Sequence, residues 1–102
     1  MESFGEYIRH LREEQHLPLR KLAAHLDIDQ STLSKIERNE RQPTKEMVPG
    51  IAQVFNLDEQ QLMIKFLSHK ITYELSGEEL GLEALKVAEQ QIEYQRQKTQ
   101  KS

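Results

Sequence analysis

Apolar positions recur at helical spacing almost throughout this chain, and no convincing alternating run interrupts them, so the pattern predicts an all-α protein. The first helix is expected over about Ser3 to His16, with Phe4, Tyr7, Ile8 and Leu11 as its inward stripe. Pro18 suits a first-turn position, where its missing N–H costs nothing, and would open a second helix to Leu26 with Leu19, Leu22, Ala23 and Leu26 inward. A short turn, Asp27 to Asp29, leads to a third helix over Gln30 to Arg38, with Asp29 as N-cap and Asn39 suited to a left-handed stop. The fourth, Thr44 to Phe55, carries Met47, Val48, Ile51, Ala52 and Phe55 inward. Its Pro49 would clash with the carbonyl four residues back, which predicts a late start near Val48 or a kink. Asp58 caps a fifth helix with Leu62, Met63, Phe66 and Leu67 inward, and KITYEL either continues it or is extended. Ser76 with Glu79 has the capping-box pattern that would open a last helix over about Gly77 to Gln97.

One small domain with an appended element follows from this order. Five short helices fill residues 1–67, residues 68–98 form a helical extension, and the polar end 99–102 reads as a frayed tail. With 102 residues there is room for one small domain and an appended element, not for a separate catalytic domain. Without cysteines the fold holds by packing alone. No apolar run is long enough to cross a bilayer and MESFGEYIRHLREE has no hydrophobic signal region, which points to a cytoplasmic protein with no membrane partner. The net charge of −3 argues against a general polyanion binder, but its distribution is uneven. Pro18 to Lys45 holds six bases against four acids, and Asp58 onward six bases against eight acids, so an anion-binding surface belongs in the first half.

The chemistry concentrates in DIDQSTLSKIER. There Gln30, Ser31, Thr32, Ser34, Lys35 and Arg38 are expected on the outer side of a helix whose Leu33 and Ile36 face inward. Taken alone, such a face is as well explained by solvation. Two helices joined by a three or four residue turn, the second studded with small polar and basic groups, are however the helix-turn-helix arrangement. Ala23 supplies the small residue where the helices cross, and Leu22, Leu26, Ile28, Leu33 and Ile36 recur where the pair must lock. Gln30 and Lys35 are then placed for base edges in the major groove, an amide for adenine and an ammonium for guanine.

LRKLAAHLDIDQSTLSKIERNERQPT resembles the DNA-binding core of the Xre type, that of lambdoid phage repressors and Cro. The resemblance covers about Phe4 to Phe66 and includes IRHLREEQHLPLRKLA, SKIER, RQPT and FNLDEQQL in order. It implies a five-helix lambda-repressor-like domain with an additional C-terminal helix, and a sequence-specific transcriptional regulator of double-stranded DNA, most simply a repressor. It also implies that Gln30, Ser31, Thr32, Ser34 and Lys35 face bases or nearby phosphates, that Arg41, Thr44 and Lys45 lie against the backbone, and that Arg12 and Glu37 form a structural ion pair. The chain departs from the family at Pro18-Leu19, where Ser-Gln is common and an amide often grips a phosphate. Arg20 and Lys21 would replace that grip electrostatically, with Arg9 a further surface base. Asp27 and Asn39 stand where glycine is usual, and both can adopt left-handed geometry at some cost.

Other chemistries find little support. His10, His16, His25 and His69 lack the paired spacing of a helical zinc motif, Ser31 and Ser34 have no neighbouring base, and the four glycines make no phosphate-cradling loop. No metal, cofactor, enzyme activity or small-molecule ligand is expected. In the last helix Leu82, Leu85, Val87, Ala88, Ile92 and Tyr94 cover a stripe broader than a two-stranded coiled-coil seam. One reading folds it back within the subunit; the favoured one uses Leu82, Leu85, Ala88 and Ile92 for a homodimer on an inverted-repeat operator. Compact regulators with such a helix resemble those beside restriction-modification or toxin genes. A protein-interaction module, antitoxin-like and acting through the last helix, is the alternative.

Overall fold

A computed structural model describes residues 2–100. Among them there are six α-helices and no strand: α1 (Phe4–Glu14), α2 (Leu19–His25), α3 (Gln30–Glu37), α4 (Val48–Phe55), α5 (Glu59–Leu75) and α6 (Gly81–Gln100). A 3-10 turn, Lys45–Met47, precedes α4. The chain divides into two compact units, one through Lys70 and one from Ile71 on. No helix among the described residues is long and apolar enough to cross a membrane.

The first unit packs around side chains delivered at helical spacing. Phe4 and Ile8 of α1, Leu22 and Ala23 of α2, and Leu33 and Ile36 of α3 are all buried. Met47, Val48, Ile51, Ala52 and Phe55 close the core from the fourth element, and Leu62 and Phe66 from α5. Phe4 and Phe66 meet edge to face with centroids 5.6 Å apart, an arrangement the ring quadrupoles favour. Leu67, expected inward, is 42% exposed, because α5 turns only Leu62 and Phe66 fully into the core.

The helix starts refine the pattern. Ser3 Oγ accepts the Glu6 N–H at 3.1 Å and caps α1, and Asp58 Oδ1 accepts the Gln61 N–H at 2.9 Å at the start of α5. Pro18 is the N-cap of α2, not a first-turn residue: with ψ at 146° it is still extended, and its carbonyl accepts the Leu22 N–H. Asp29 holds the N-cap place of α3 without a side-chain hydrogen bond. Pro49 sits in the first turn of α4, which begins late at Val48, where a missing N–H is harmless. KITYEL is helical as far as Leu75. The Ser76–Glu79 capping box does not form. Gly77, at φ +81°, turns the chain out of α5, so α6 starts only at Gly81. That helix runs past Gln97 to Gln100, taking in the first half of the expected tail, and residues 101–102 lie outside the described residues.

All of the first four helices end alike, and none uses glycine. His16, Asp27, Asn39 and Asn56 are left-handed, at φ of 53°, 56°, 61° and 53°. The N–H one residue later reaches back each time: Leu17 to the Arg12 carbonyl, Ile28 to Ala23, Glu40 to Lys35 and Leu57 to Ala52. These are Schellman closures, which satisfy carbonyls the helix would leave open. Left-handed geometry costs a residue with a Cβ on the order of 1 kcal/mol, and imidazole has no compensating local hydrogen bond of the Asx kind. His16→Gly is therefore expected to stabilise the domain by about 0.5–1 kcal/mol, read as an upward shift of a few degrees in Tm. An unchanged or lower Tm would show that His16 carries a contact worth more than the backbone strain.

Candidate nucleic-acid interface

The recognition segment owes its presentation to what lies behind it. Leu33 and Ile36 are completely or almost completely buried, and so is the carboxylate-bearing Glu37 at 3% exposure. Burying that charge is tolerable because Arg12 grips it with two hydrogen bonds, Nε to Oε2 at 2.8 Å and Nη2 to Oε1 at 2.9 Å. A third donor of the same guanidinium, Nη1, reaches the Leu17 carbonyl at 3.1 Å, so one side chain ties α1, the α1–α2 turn and the end of α3 together. The hydrogen bonds to Glu37 raise the Arg12 pKa above its ordinary range, against the opposing effect of burial. Above them α1 lies so close to α3 that a Cβ on the buried Gly5 would fall 1.9 Å from the Ile36 carbonyl oxygen.

With that face fixed, Gln30, Ser31 and Lys35 project into solvent, and among the described residues no hydrogen bond or ion pair occupies their side chains. Thr32 and Ser34 do not share this: both are only half exposed, because their positions flank the buried line of Leu33 and Ile36. Ser34 is also engaged. Its Oγ accepts from Arg38 Nη1 at 2.7 Å, while Arg38 Nε pairs with the Glu40 carboxylate. Arg38, though exposed, thus has its Nε and one Nη1 donor turned along the edge of α3 and onto the turn that follows.

The candidate phosphate residues separate as well. Arg20 and Lys21 are exposed in the first turn of α2, whose N-cap has no side-chain hydrogen bond. Arg41, Thr44 and Lys45 are exposed on the segment after α3. Arg41 shares a shallow open groove with Thr32, Ala24, Asp27, Ile28 and Asp29, which places it beside the helix-turn-helix bend. Arg9 is different. It pairs with Glu13 at 3.3 Å one turn on, in an exposed neighbourhood that also includes Glu6, so acids stand beside it.

Two supports were not foreseen from sequence. Pro43 is buried, and His69 of α5 bridges two elements: its Nδ1 accepts the Phe4 N–H at 3.4 Å and its Nε2 lies 3.2 Å from Gln42 Oε1. The neutral tautomer with its proton on Nε2 satisfies both, linking the start of α1 to the segment that carries Arg41 and Thr44. Its sequence signal, a lone histidine among polar residues, is too weak to read. His10 is committed elsewhere, to Glu2, and among the described residues no cluster of histidines and acids is arranged to hold a metal ion.

The Helix-turn-helix family model matches residues 8–62, more than half of the chain and the whole of α2, the bend and α3. The chain belongs to the helix-turn-helix family. As a member it is a DNA-binding domain of the kind found in transcription regulators, and the bend with its flanking helices is the part that defines it. A similar protein is the HTH-type transcriptional repressor RghR of Bacillus subtilis (strain 168), 35% identical over 66 residues, which are 64% of this chain and 49% of that protein. The matched segment thus spans about half the length of this curated relative. No solved structure gives a match.

Proposed function

We propose that this protein is a sequence-specific transcriptional repressor, not an enzyme, that binds an inverted-repeat operator in double-stranded DNA as a homodimer. The observation that carries the reading is the division of α3: Leu33, Ile36 and Glu37 are locked inward while Gln30, Ser31 and Lys35 stand free at the surface. A rigid helix with unengaged amide, hydroxyl and ammonium tips has the chemistry for base edges in the major groove. Gln30, Ser31 and Lys35 are the principal readers, with Thr32 at their side; Ser34 and Arg38 brace them. Arg20, Lys21, Arg41, Thr44 and Lys45 set the position on the phosphates, and Arg9 contributes least. Residues 1–67 form the DNA-binding part and residues 68–98 the dimerising part. Repression is the outcome named for the similar Bacillus protein, and covering a promoter is the simplest way to reach it.

The test is selection of bound sites from random duplex DNA, followed by Gln30→Ala on the enriched sequence. The expected consensus is symmetric, with half-sites about 34 Å apart, one helical turn. Gln30→Ala is expected to lose about 1–3 kcal/mol of affinity there and to relax preference at one base step. Equal losses on every sequence would remove Gln30 from the readers. Failure to enrich any sequence would reject the regulator reading itself.

A further inference from the structure

The second unit cannot be explained by its own packing. From Ile71 to Thr99 glycine 81 is the one buried residue among those described, while Val87, Ile92 and Tyr94 are 53%, 56% and 63% exposed. Most of a helix's stability in a protein comes from packing its apolar face, and the apolar side chains of α6 stand largely open, so the helix calls for something laid against it. Two lines of positions at alternating spacings of three and four run along the helix. One, Gly81, Leu85, Ala88 and Ile92, begins where Gly81 lies against Leu75, close enough that a Cβ would sit 3.3 Å from the Leu75 carbonyl oxygen. Along it Ala88 is partly buried and Leu85 is 38% exposed, while Ile92 beyond them is open. The other line, Ala84, Val87, Gln91, Tyr94 and Lys98, lies about 110° further around the helix and is open along its length.

We infer that this second line is the seam along which α6 pairs, antiparallel, with α6 of a second copy of the chain. The inference rests on the homodimer proposed above and moves its centre away from Leu82, Leu85, Ala88 and Ile92. Three and four residue spacing is what two helices need to keep one seam in register. Size complementarity sets the direction. With the helices antiparallel, Ala84 meets Tyr94 of the second copy, a small residue against a large one, and Val87 meets Gln91. In a parallel pair Tyr94 would meet Tyr94 and Lys98 would meet Lys98. Charge agrees with size. The approach to α6 and its first turn carry Glu78, Glu79 and Glu83, and its last turn carries Lys98 on the seam itself, so reversal brings opposite charges together at both ends. The helix dipoles also oppose.

Because the chain has no cysteine, cross-linking reads the geometry directly. Ala84→Cys and Tyr94→Cys proteins, full length, are oxidised separately and as a mixture, and sedimentation of the unmodified chain is measured in parallel. The expected result is a dimer whose mixture forms the hetero-disulfide, while Ala84→Cys alone forms almost none, its two sulfurs being about 15 Å apart along the axis. Self-cross-linking of Ala84→Cys overturns the antiparallel sense. A dimer in which neither cross-link forms overturns the seam but leaves the homodimer standing, and a monomer overturns both, leaving a different protein as occupant. Since Tyr94→Cys removes a seam side chain, Val87→Glu and Leu82→Glu give a second reading. The first is expected to weaken dimerisation by roughly tenfold or more and the second far less; the reverse order overturns the seam.

Discussion

Gly5→Ala is expected to cost the domain about 3 kcal/mol, measured as a fall in the urea midpoint with an unchanged slope. On helix propensity alone the substitution is favourable, since alanine in a helix interior gains about 1 kcal/mol over glycine. Contact geometry reverses the sign. The added Cβ would lie 1.9 Å from the Ile36 carbonyl oxygen and 2.9 Å from its carbonyl carbon, and neither is a side-chain tip that can swing away. Both belong to the backbone of α3, so relief requires α1 and α3 to separate. Separation would draw Phe4 and Ile8 out of contact with the core and shift the platform beneath Gln30, Ser31 and Lys35. A loss of this size is a large part of the stability of a small domain. Operator affinity should fall with it, even at temperatures where the variant remains folded. A variant as stable as the parent would mean that the two helices do not approach this closely.

Gly5 also shows where the sequence stops being readable. The helices were legible because burial imposes a period: Phe4 and Ile8, Leu22 and Ala23, Leu33 and Ile36, and Ile51 and Phe55 all mark inward faces. Breaks were legible where a residue forbids continuation, as Pro49 does in delaying α4. The left-handed stops at Asp27 and Asn39 were legible because short polar side chains tolerate that geometry, while His16 uses the same closure without such a signature. A glycine needed for helix contact looks in one dimension like any other. The capping pattern at Ser76 and Glu79 misled for a related reason: it describes a local preference, and the left-handed turn at Gly77 overrides it.

The same limit applies to the candidate site. Outward positions on α3 follow from the inward ones, so Gln30, Ser31 and Lys35 are legible in the sequence. How freely each side chain is presented is not, because helical spacing brings several candidate partners within reach and does not say which one a side chain takes. Arg38 reads as a base-contacting cation until Ser34 and Glu40 are found on either side of it. Arg9 reads as a phosphate contact until Glu13 is found one turn on. Periodicity gives direction; competition for donors gives availability. The apolar stripe of α6 was equally plain as a pattern, but that its start is covered, where Gly81 meets Leu75, was not.

Breaking the Arg12–Glu37 pair from either side should be costly, and not equally. Arg12→Met is expected to lose about 3–5 kcal/mol, because it leaves the Glu37 carboxylate, 3% exposed, without its two donors. Glu37→Gln should lose less, about 2–3 kcal/mol: the guanidinium it strands retains 16% side-chain exposure and keeps the Leu17 carbonyl as a partner. The double variant should be more stable than the sum of the two losses allows, since the second substitution removes a charge already unpaired. Denaturant titration of the four proteins measures that coupling, and strict additivity would mean that the two residues do not act as a pair. The sign with pH follows from the raised pKa of Arg12. A cation stabilised by folding contributes fully below its unfolded pKa and is lost only as pH climbs through the folded value, so the pair holds throughout the neutral range. Its effect on DNA binding should be separable from stability. Because the pair anchors the C-terminal end of α3 to α1, loosening it lets the helix pivot about Leu33, and affinity for the operator should fall more than affinity for unrelated duplexes. A uniform loss on all sequences would place the pair among residues that only hold the domain folded.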